Sequence, residues 1–310
     1  MVFILFILSV YTVLFNCIDC RQFRSDYKFH QEVNAWVKLH QVPATWEDAR
    51  LRCELEGAIL ASPHTRNLEL IMRRVMADTH SEASGVFTGV HATFSKGDFY
   101  SVDGIPLRKM PVQWMPSEPD NLNNAENCIV MVANGTIADV SCDEVYPYVC
   151  FKKRTKNMIM NACGTTDPEY KLDERTGNCY KIHLTPRNWT RAFMVCSAEG
   201  AHLAIINSDE EANVLKGLHG RHKAEKLPYD TIFLGFQDWG EDGVWTTIHG
   251  QSLEEAGYAK FHPGEPDNAS PGEHCGSMFR NGLFNDAWCY VKLAFICEKT
   301  VDSLLDDTDV

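Results

Sequence analysis

Two passages of the chain carry apolar residues at helical spacing, and each has a counterpart 143 positions later. In the first, Thr45 stands as an N-cap with Asp48 three residues on, and Gly57 is placed to end the helix. In the counterpart Asn188 caps, and Trp189, Ala192, Phe193 and Cys196 at i, i+3, i+4 and i+7 predict one buried stripe. Leu68, Ile71, Met72 and Val75 predict a second helix, matched less regularly by Val214, Leu215 and Leu218. Short apolar runs predict strands at 86–90 and 232–236, and closing strands at 148–151 and 293–297. Between these strands each half carries a long Gly-, Pro- and Asn-rich region with little periodicity. A loop of that length inside a compact domain is usually functional.

The correspondence between the halves is an internal repeat. At an offset of 143, Trp46, Ala49, Cys53, Gly57 and Leu60 meet Trp189, Ala192, Cys196, Gly200 and Leu203. Four inserted residues later the offset becomes 147 and holds for Glu118, Pro119, Asp120, Glu126, Cys128, Asp139, Cys142 and Cys150. Their mates are Glu265, Pro266, Asp267, Glu273, Cys275, Asp286, Cys289 and Cys297. The chain therefore reads as two copies of one domain. The expected organisation is a leader over 1–20, a first domain over 21–152, a basic linker over 153–162, a second domain over 163–299, and an unpatterned acidic tail over 300–310, expected to be disordered.

The leader expectation rests on residues 1–15, an apolar run without Asp, Glu, Lys or Arg and too short to span a bilayer. It reads as a secretory signal, cleaved after Cys20, although the usual basic residue at its front is missing. No other stretch is long and apolar enough to span, so a secreted, extracellular protein with no transmembrane anchor is expected. Of twelve cysteines, ten remain once Cys17 and Cys20 leave with the leader, and in an exported chain they read as a disulfide framework. The repeat pairs Cys53 with Cys150 and Cys128 with Cys142, then Cys196 with Cys297 and Cys275 with Cys289; Cys163 and Cys179 are left for each other. Trp36 stands at the counterpart of Cys179, so the first copy lacks that extra bridge. Asn134, Asn188 and Asn268 begin glycosylation sequons, the last with Pro271 directly behind it.

A formal net charge of −13 leaves no basic stripe for nucleic acid and argues against adhesion to an anionic membrane. The chemistry sits in the acidic motifs. Glu265, Asp267, Glu273, Asn285 and Asp286 supply only oxygen donors, at irregular spacing, pinned by Cys275 and Cys289; that suits a hard cation such as Ca²⁺. The first copy has Glu118, Asp120, Glu126 and Asp139, but Ala138 where the second has Asn285, so a weaker site is expected there. No zinc-protease helix motif or nucleophile elbow occurs, and the carboxylates are grouped as ligands rather than as an acid–base pair; an enzyme is not expected. His219 and His222 read as part of a solvated turn.

The capped Trp-bearing helix, the Phe-x-Gly strand, Glu-Pro-x, the Asn-Asp before a cysteine and the cysteine framework together resemble the C-type lectin-like domain, over nearly all of residues 25–299. The tandem arrangement resembles the immulectin group of insect haemolymph lectins. The resemblance implies an α+β fold, with two helices, small antiparallel sheets and a long calcium-site loop region per domain. It implies a cis Pro266 and a sugar held through two vicinal hydroxyls, with Glu265, Asp267, Glu273 and Asn285 as carbohydrate contacts. The second-domain motif is Glu-Pro-Asp, a hybrid of the mannose-type Glu-Pro-Asn and the galactose-type Gln-Pro-Asp, so it names no monosaccharide. The function implied is a secreted calcium-dependent pattern-recognition lectin for microbial glycans such as lipopolysaccharide, acting in innate immunity by agglutination, opsonisation and promotion of melanisation. Blood-cell surfaces or protease-cascade proteins would be further partners. The alternative is a calcium-independent lectin-like protein that binds a protein ligand.

Overall fold

The computed structural model describes residues 23–78, 85–93, 95–155, 160–222, 230–240, 242–269, 272–301 and 303–304. The expected leader lies outside them.

Each half is a sheet with two main helices on it. The first half contains β1 (Lys28–His30), β2 (Ala35–Ala44), α1 (Trp46–Leu55), β3 (Ile59–Leu60), α2 (Arg66–Ala77), β4 (Val86–His91), β5 (Tyr100–Ser101), β6 (Gln113–Trp114), β7 (Glu126–Met131), β8 (Thr136–Ser141) and β9 (Tyr146–Lys153). The second contains β10 (Lys171–Leu172), β11 (Cys179–Arg187), α3 (Trp189–Ala198), β12 (His202–Leu203), α4 (Asp209–Gly220), β13 (Thr231–Gln237), β14 (Thr246–Thr247), a short α5 (Leu253–Ala256), β15 (Cys275–Phe279), β16 (Phe284–Ala287) and β17 (Leu293–Lys299). Strand order is β1-β2-β9-β4-β7-β8-β6 in one sheet and β10-β11-β17-β13-β15-β16 in the other. The fold is α+β, and among the named strands of the described residues the central pair (β4 with β9, β13 with β17) and β6 with β8 run parallel.

Local chemistry explains the helices. Thr45, Thr65, Asn188 and Ser208 each accept a backbone N–H three residues on, closing an open helix start. Trp46 and Trp189 then fasten their helices to the sheet: each indole N–H donates to a central-strand carbonyl, Thr88 O and Leu234 O, at 2.8 Å. In each half the glutamate that caps the end of the first helix is buried among a tyrosine, a lysine and a histidine. Glu56 accepts from Tyr27 at 2.6 Å and meets Lys38 and His40; Glu199 accepts from Tyr170 at 2.8 Å and meets Lys181 and His183. Burial alone would raise the Glu56 pKa, but the His40 hydrogen bond and the neighbouring charges hold it far below the usual carboxylate range. Disulfides join Cys53–Cys150, Cys128–Cys142, Cys163–Cys179, Cys196–Cys297 and Cys275–Cys289.

Several expectations need correction. The region read as aperiodic loop contains two hairpins, β7–β8 and β15–β16, so part of the acidic motif lies on paired strands. The linker is shorter than 153–162, because Lys153 is the last residue of β9 and Arg154 N–H donates to Asn34 O at 3.0 Å. The tail does not leave the molecule at residue 300: Ser303 Oγ donates to Gly200 O at 2.9 Å and Leu304 is buried. Phe193 is exposed and stacks on Trp189 at 5.8 Å, while Val195 takes its place inside. His219 is fully buried in the last turn of α4 rather than solvated, and burial brings its pKa down to about 4.

The halves touch each other. Arg24 donates to Ala198 O at 2.8 Å, Ser25 N–H donates to Leu304 O at 2.9 Å, and Arg191 bonds Asp48 at 2.8 Å.

Candidate metal centre

In the second half β15 and β16 pair with Ser277 opposite Asn285 and Gly276 opposite Asp286. That register brings the Asn-Asp pair up against the loop that begins at Glu265. The Glu265–Pro266 bond is cis, as is Glu118–Pro119. One carboxylate oxygen from each of Glu265, Asp267 and Asp286 lies within 4.8 Å of the others.

Backbone amides brace this loop. Buried Asp286 accepts from Asn268 N–H at 2.8 Å and Asp267 N–H at 3.4 Å. Ala269 N–H is shared by Glu273 Oε2 at 2.7 Å and Asp267 Oδ1 at 3.0 Å, which sets Glu273 beside the trio. Asn268 adopts a left-handed backbone (φ 44°), from which its Oδ1 accepts Gly272 N–H at 2.9 Å and Glu273 N–H at 3.2 Å. Asn285 donates its amide N–H to Ser277 Oγ at 3.0 Å and to Asp286 O. Its carbonyl oxygen therefore stays available as a ligand.

The first half repeats the scaffold. Glu118, Asp120 and Asp139 form the equivalent trio, again within 4.8 Å. Asp139 accepts from Asn121 N–H at 3.1 Å, and Leu122 N–H donates to Glu126 at 2.6 Å and Asp120 at 3.1 Å. Ala138 faces Val130 across the hairpin, where the other half sets Asn285 against Ser277.

Crowding the carboxylates has an electrostatic cost. Burial, the Asp286 hydrogen bond and the charges of Asp267, Asp286 and Glu273 push the Glu265 pKa up to about 7. Burial, with Asp120 and Asp139 close by, pushes Glu126 up to about 7 against the opposing Leu122 N–H. Acceptor-only oxygens converging on one point, braced by backbone N–H groups rather than by lysine or arginine, fit a hard divalent cation. In the second half Glu265, Asp267, Glu273, Asn285 and Asp286 would hold it.

A further cluster was missed in the sequence. Asp238, Asp242 and His274 bring ligand atoms within 4.8 Å, with His274 Nδ1 2.9 Å from Asp238. Its signal was present as two aspartates four apart in a Gly-bearing turn after β13, and a histidine directly after Glu273. Of the expected sequon residues, Asn134 lies exposed in the β7–β8 turn, accepting from Thr136 N–H at 2.8 Å; Asn188 is the α3 cap, and Asn268 is the loop brace.

Two tandem units, each a small sheet flanked by two helices with a disulfide-clamped acidic loop, define a lectin-like class of protein. The family profile described as Lectin C-type domain matches residues 42–152 and 185–299, and the chain belongs to that family. The hemolymph lipopolysaccharide-binding protein of Periplaneta americana is 41% identical over 140 residues, 44% of this chain and 54% of that protein. The C-type mannose receptor 2 of Mus musculus is 24% identical over 278 residues, 84% of this chain and 17% of the receptor. The chain thus spans about half the length, or less, of these curated relatives. Among solved structures, the mouse scavenger receptor C-type lectin carbohydrate-recognition domain aligns over 43% of this chain and 94% of its own, at 28% identity and a TM-score of 0.37. Among the described residues no helix is long and apolar enough to cross a membrane.

Proposed function

We propose that the second repeat binds Ca²⁺ through Glu265, Asp267, Glu273, Asn285 and Asp286 and uses it to hold a microbial surface glycan, in a secreted lectin of innate immunity. The observation that carries this reading is the convergence of the Glu265, Asp267 and Asp286 oxygens within 4.8 Å. A bound calcium ion supplies open coordination positions for two vicinal hydroxyls. The chain's own groups do the rest: Asp286 orders the loop through Asn268 N–H, and Glu265 and Asp267 accept hydrogen bonds from the sugar's hydroxyl groups. Asp267, being acceptor-only when ionised, gives the site a bias toward hydroxyl donors. The lipopolysaccharide named for the Periplaneta americana relative makes an acylated bacterial glycan the first ligand to try.

The first repeat is a weaker site by the same logic, having lost one oxygen at Ala138. Contact through one sugar is weak, and two repeats in one chain gain avidity on a repetitive surface. Agglutination, opsonisation and promotion of melanisation are the outcomes proposed to follow. The test is binding of the full chain to immobilised lipopolysaccharide with and without chelator, beside Asn285→Ala. Binding lost in both arms supports the reading. Binding retained in both favours the calcium-independent, protein-binding alternative.

A further inference from the structure

The repeats meet along helices α1 and α3, and the seam between them has two mouths. One is a cavity of about 360 Å³ with Phe23, Leu304, Leu51 and Leu55 on its apolar side and charged groups such as Arg24, Glu54, Asp167 and Lys181 on the other. Leu304 sits so close over Gly200 that a Cβ on that glycine would overlap its side chain.

The opposite mouth is wider, about 670 Å³, and no described residue fills it. Its apolar wall is Leu51, Leu55, Met194 and Val195, with Val42 and Pro43 at the lip. Met194 and Val42 are among the large apolar side chains left exposed. Cavities of roughly 300–1,000 Å³ with apolar walls and a few polar groups, lying between domains, are the usual form of a small-molecule site.

Charge narrows the ligand. Four guanidiniums border the cleft, and three are matched: Arg50 by Glu47 and Glu54, Arg52 by Glu56, Arg191 by Asp48. Glu47 and Asp48, the acidic residues of the lining, are thereby used. The His40 pKa is lowered by burial, and its Nε2 is held by Glu56 at 3.0 Å. Arg187 is exposed and has no carboxylate partner among the described residues. One uncompensated positive charge therefore stands at the edge of an apolar trough, on a chain whose net charge is −13.

We propose that this cleft binds a single-chain anionic amphiphile of the fatty-acid type, its alkyl chain along Leu51, Leu55, Met194 and Val195 and its carboxylate on Arg187. None of the loop carboxylates of either repeat lines the cleft, so uptake does not require calcium.

The test uses the full chain in excess chelator, titrated with fluorescent cis-parinaric acid. Saturable binding at one equivalent is expected, displaced by laurate and far less by dodecanol, which has the chain without the charge. Arg187→Glu should weaken binding about tenfold, the scale of one charge-assisted contact. Met194→Asp should abolish it. Both side chains are exposed, so an unchanged thermal midpoint certifies the fold of each variant. Absence of saturable uptake, equal displacement by alcohol and acid, or uptake unchanged in both variants would overturn the proposal. So would a concentration-dependent dimer dissociated by Met194→Asp, which would assign the cleft to a second copy of the chain.

Discussion

Asp48 and Arg191 occupy the same position of the two repeats and are bonded to each other, with contacts of 2.8 and 3.2 Å. Their separation of 143 residues equals the repeat offset, so a position meets its own copy, which is the mark of a local two-fold relation. Both side chains are more than a third exposed, so Asp48→Ala should cost less than ~1 kcal/mol. Asp48→Arg sets two guanidiniums face to face and should open the seam to proteolysis. The exchange Asp48→Arg with Arg191→Asp should close it again. Limited digestion of the three variants checks the order.

Asp286 is the residue on which the second loop hangs, because it braces Asn268 and also faces the cluster. Asp286→Ala should weaken calcium binding by more than the ~10–100-fold typical of losing an outer partner alone. The disulfide-clamped hairpin should keep the fold. Calorimetric titration of the full chain, compared with Asp139→Ala, would assign the stronger site to the second repeat.

Ala138 differs from Asn285, and the difference comes as a pair. Asn285 is supported by Ser277 across the hairpin, whereas Ala138 faces Val130. Ala138→Asn alone should gain little, because its amide N–H would meet a valine in a buried place. Val130→Ser with Ala138→Asn should raise calcium affinity of the first repeat about tenfold. Equal gains from the single and the double variant would contradict this.

Glu298 and Glu211 are both buried in the second repeat, under Tyr180 and Asn178. Burial, with the Glu211 charge beside it, pushes the Glu298 pKa up to about 8 from an ordinary 4.5. The folded state therefore holds its proton more tightly than the unfolded chain does. That contribution is complete below about pH 4.5, declines as pH rises, and is gone beyond about 8. The second repeat should melt at progressively lower temperature between pH 5 and 9 in excess calcium. Glu298→Gln should flatten the slope. Leu68 and Phe151 stand at these positions in the first repeat, which therefore lacks this buried pair.

What could be read ahead of the structure was local or repeated. Thr45 and Asn188 announce helix starts through their own side chains, and a pattern present twice is hard to mistake. The acidic donors were legible as a set, but not their setting: Glu126, Asp139, Asn285 and Asp286 lie on strands whose alternation is spoiled by those same donors. Partners set by tertiary contact left no such trace. Glu211 and Glu298 are 87 positions apart, His219 is inside for reasons its neighbours in sequence do not reveal, and Phe193 fits a helical stripe yet points outward. Asp238, Asp242 and His274 were visible as letters, but only the fold places His274 against the turn after β13.

The Ser25–Leu304 hydrogen bond joins two points separated by nearly the entire described chain. A ribosome delivers the first repeat well before the residue that latches it. Until Leu304 emerges and settles over Gly200, the seam has its Arg24–Ala198 and Arg191–Asp48 contacts but not this clasp. A chain cut after Lys299 should therefore keep both repeats folded and lose this clasp between them.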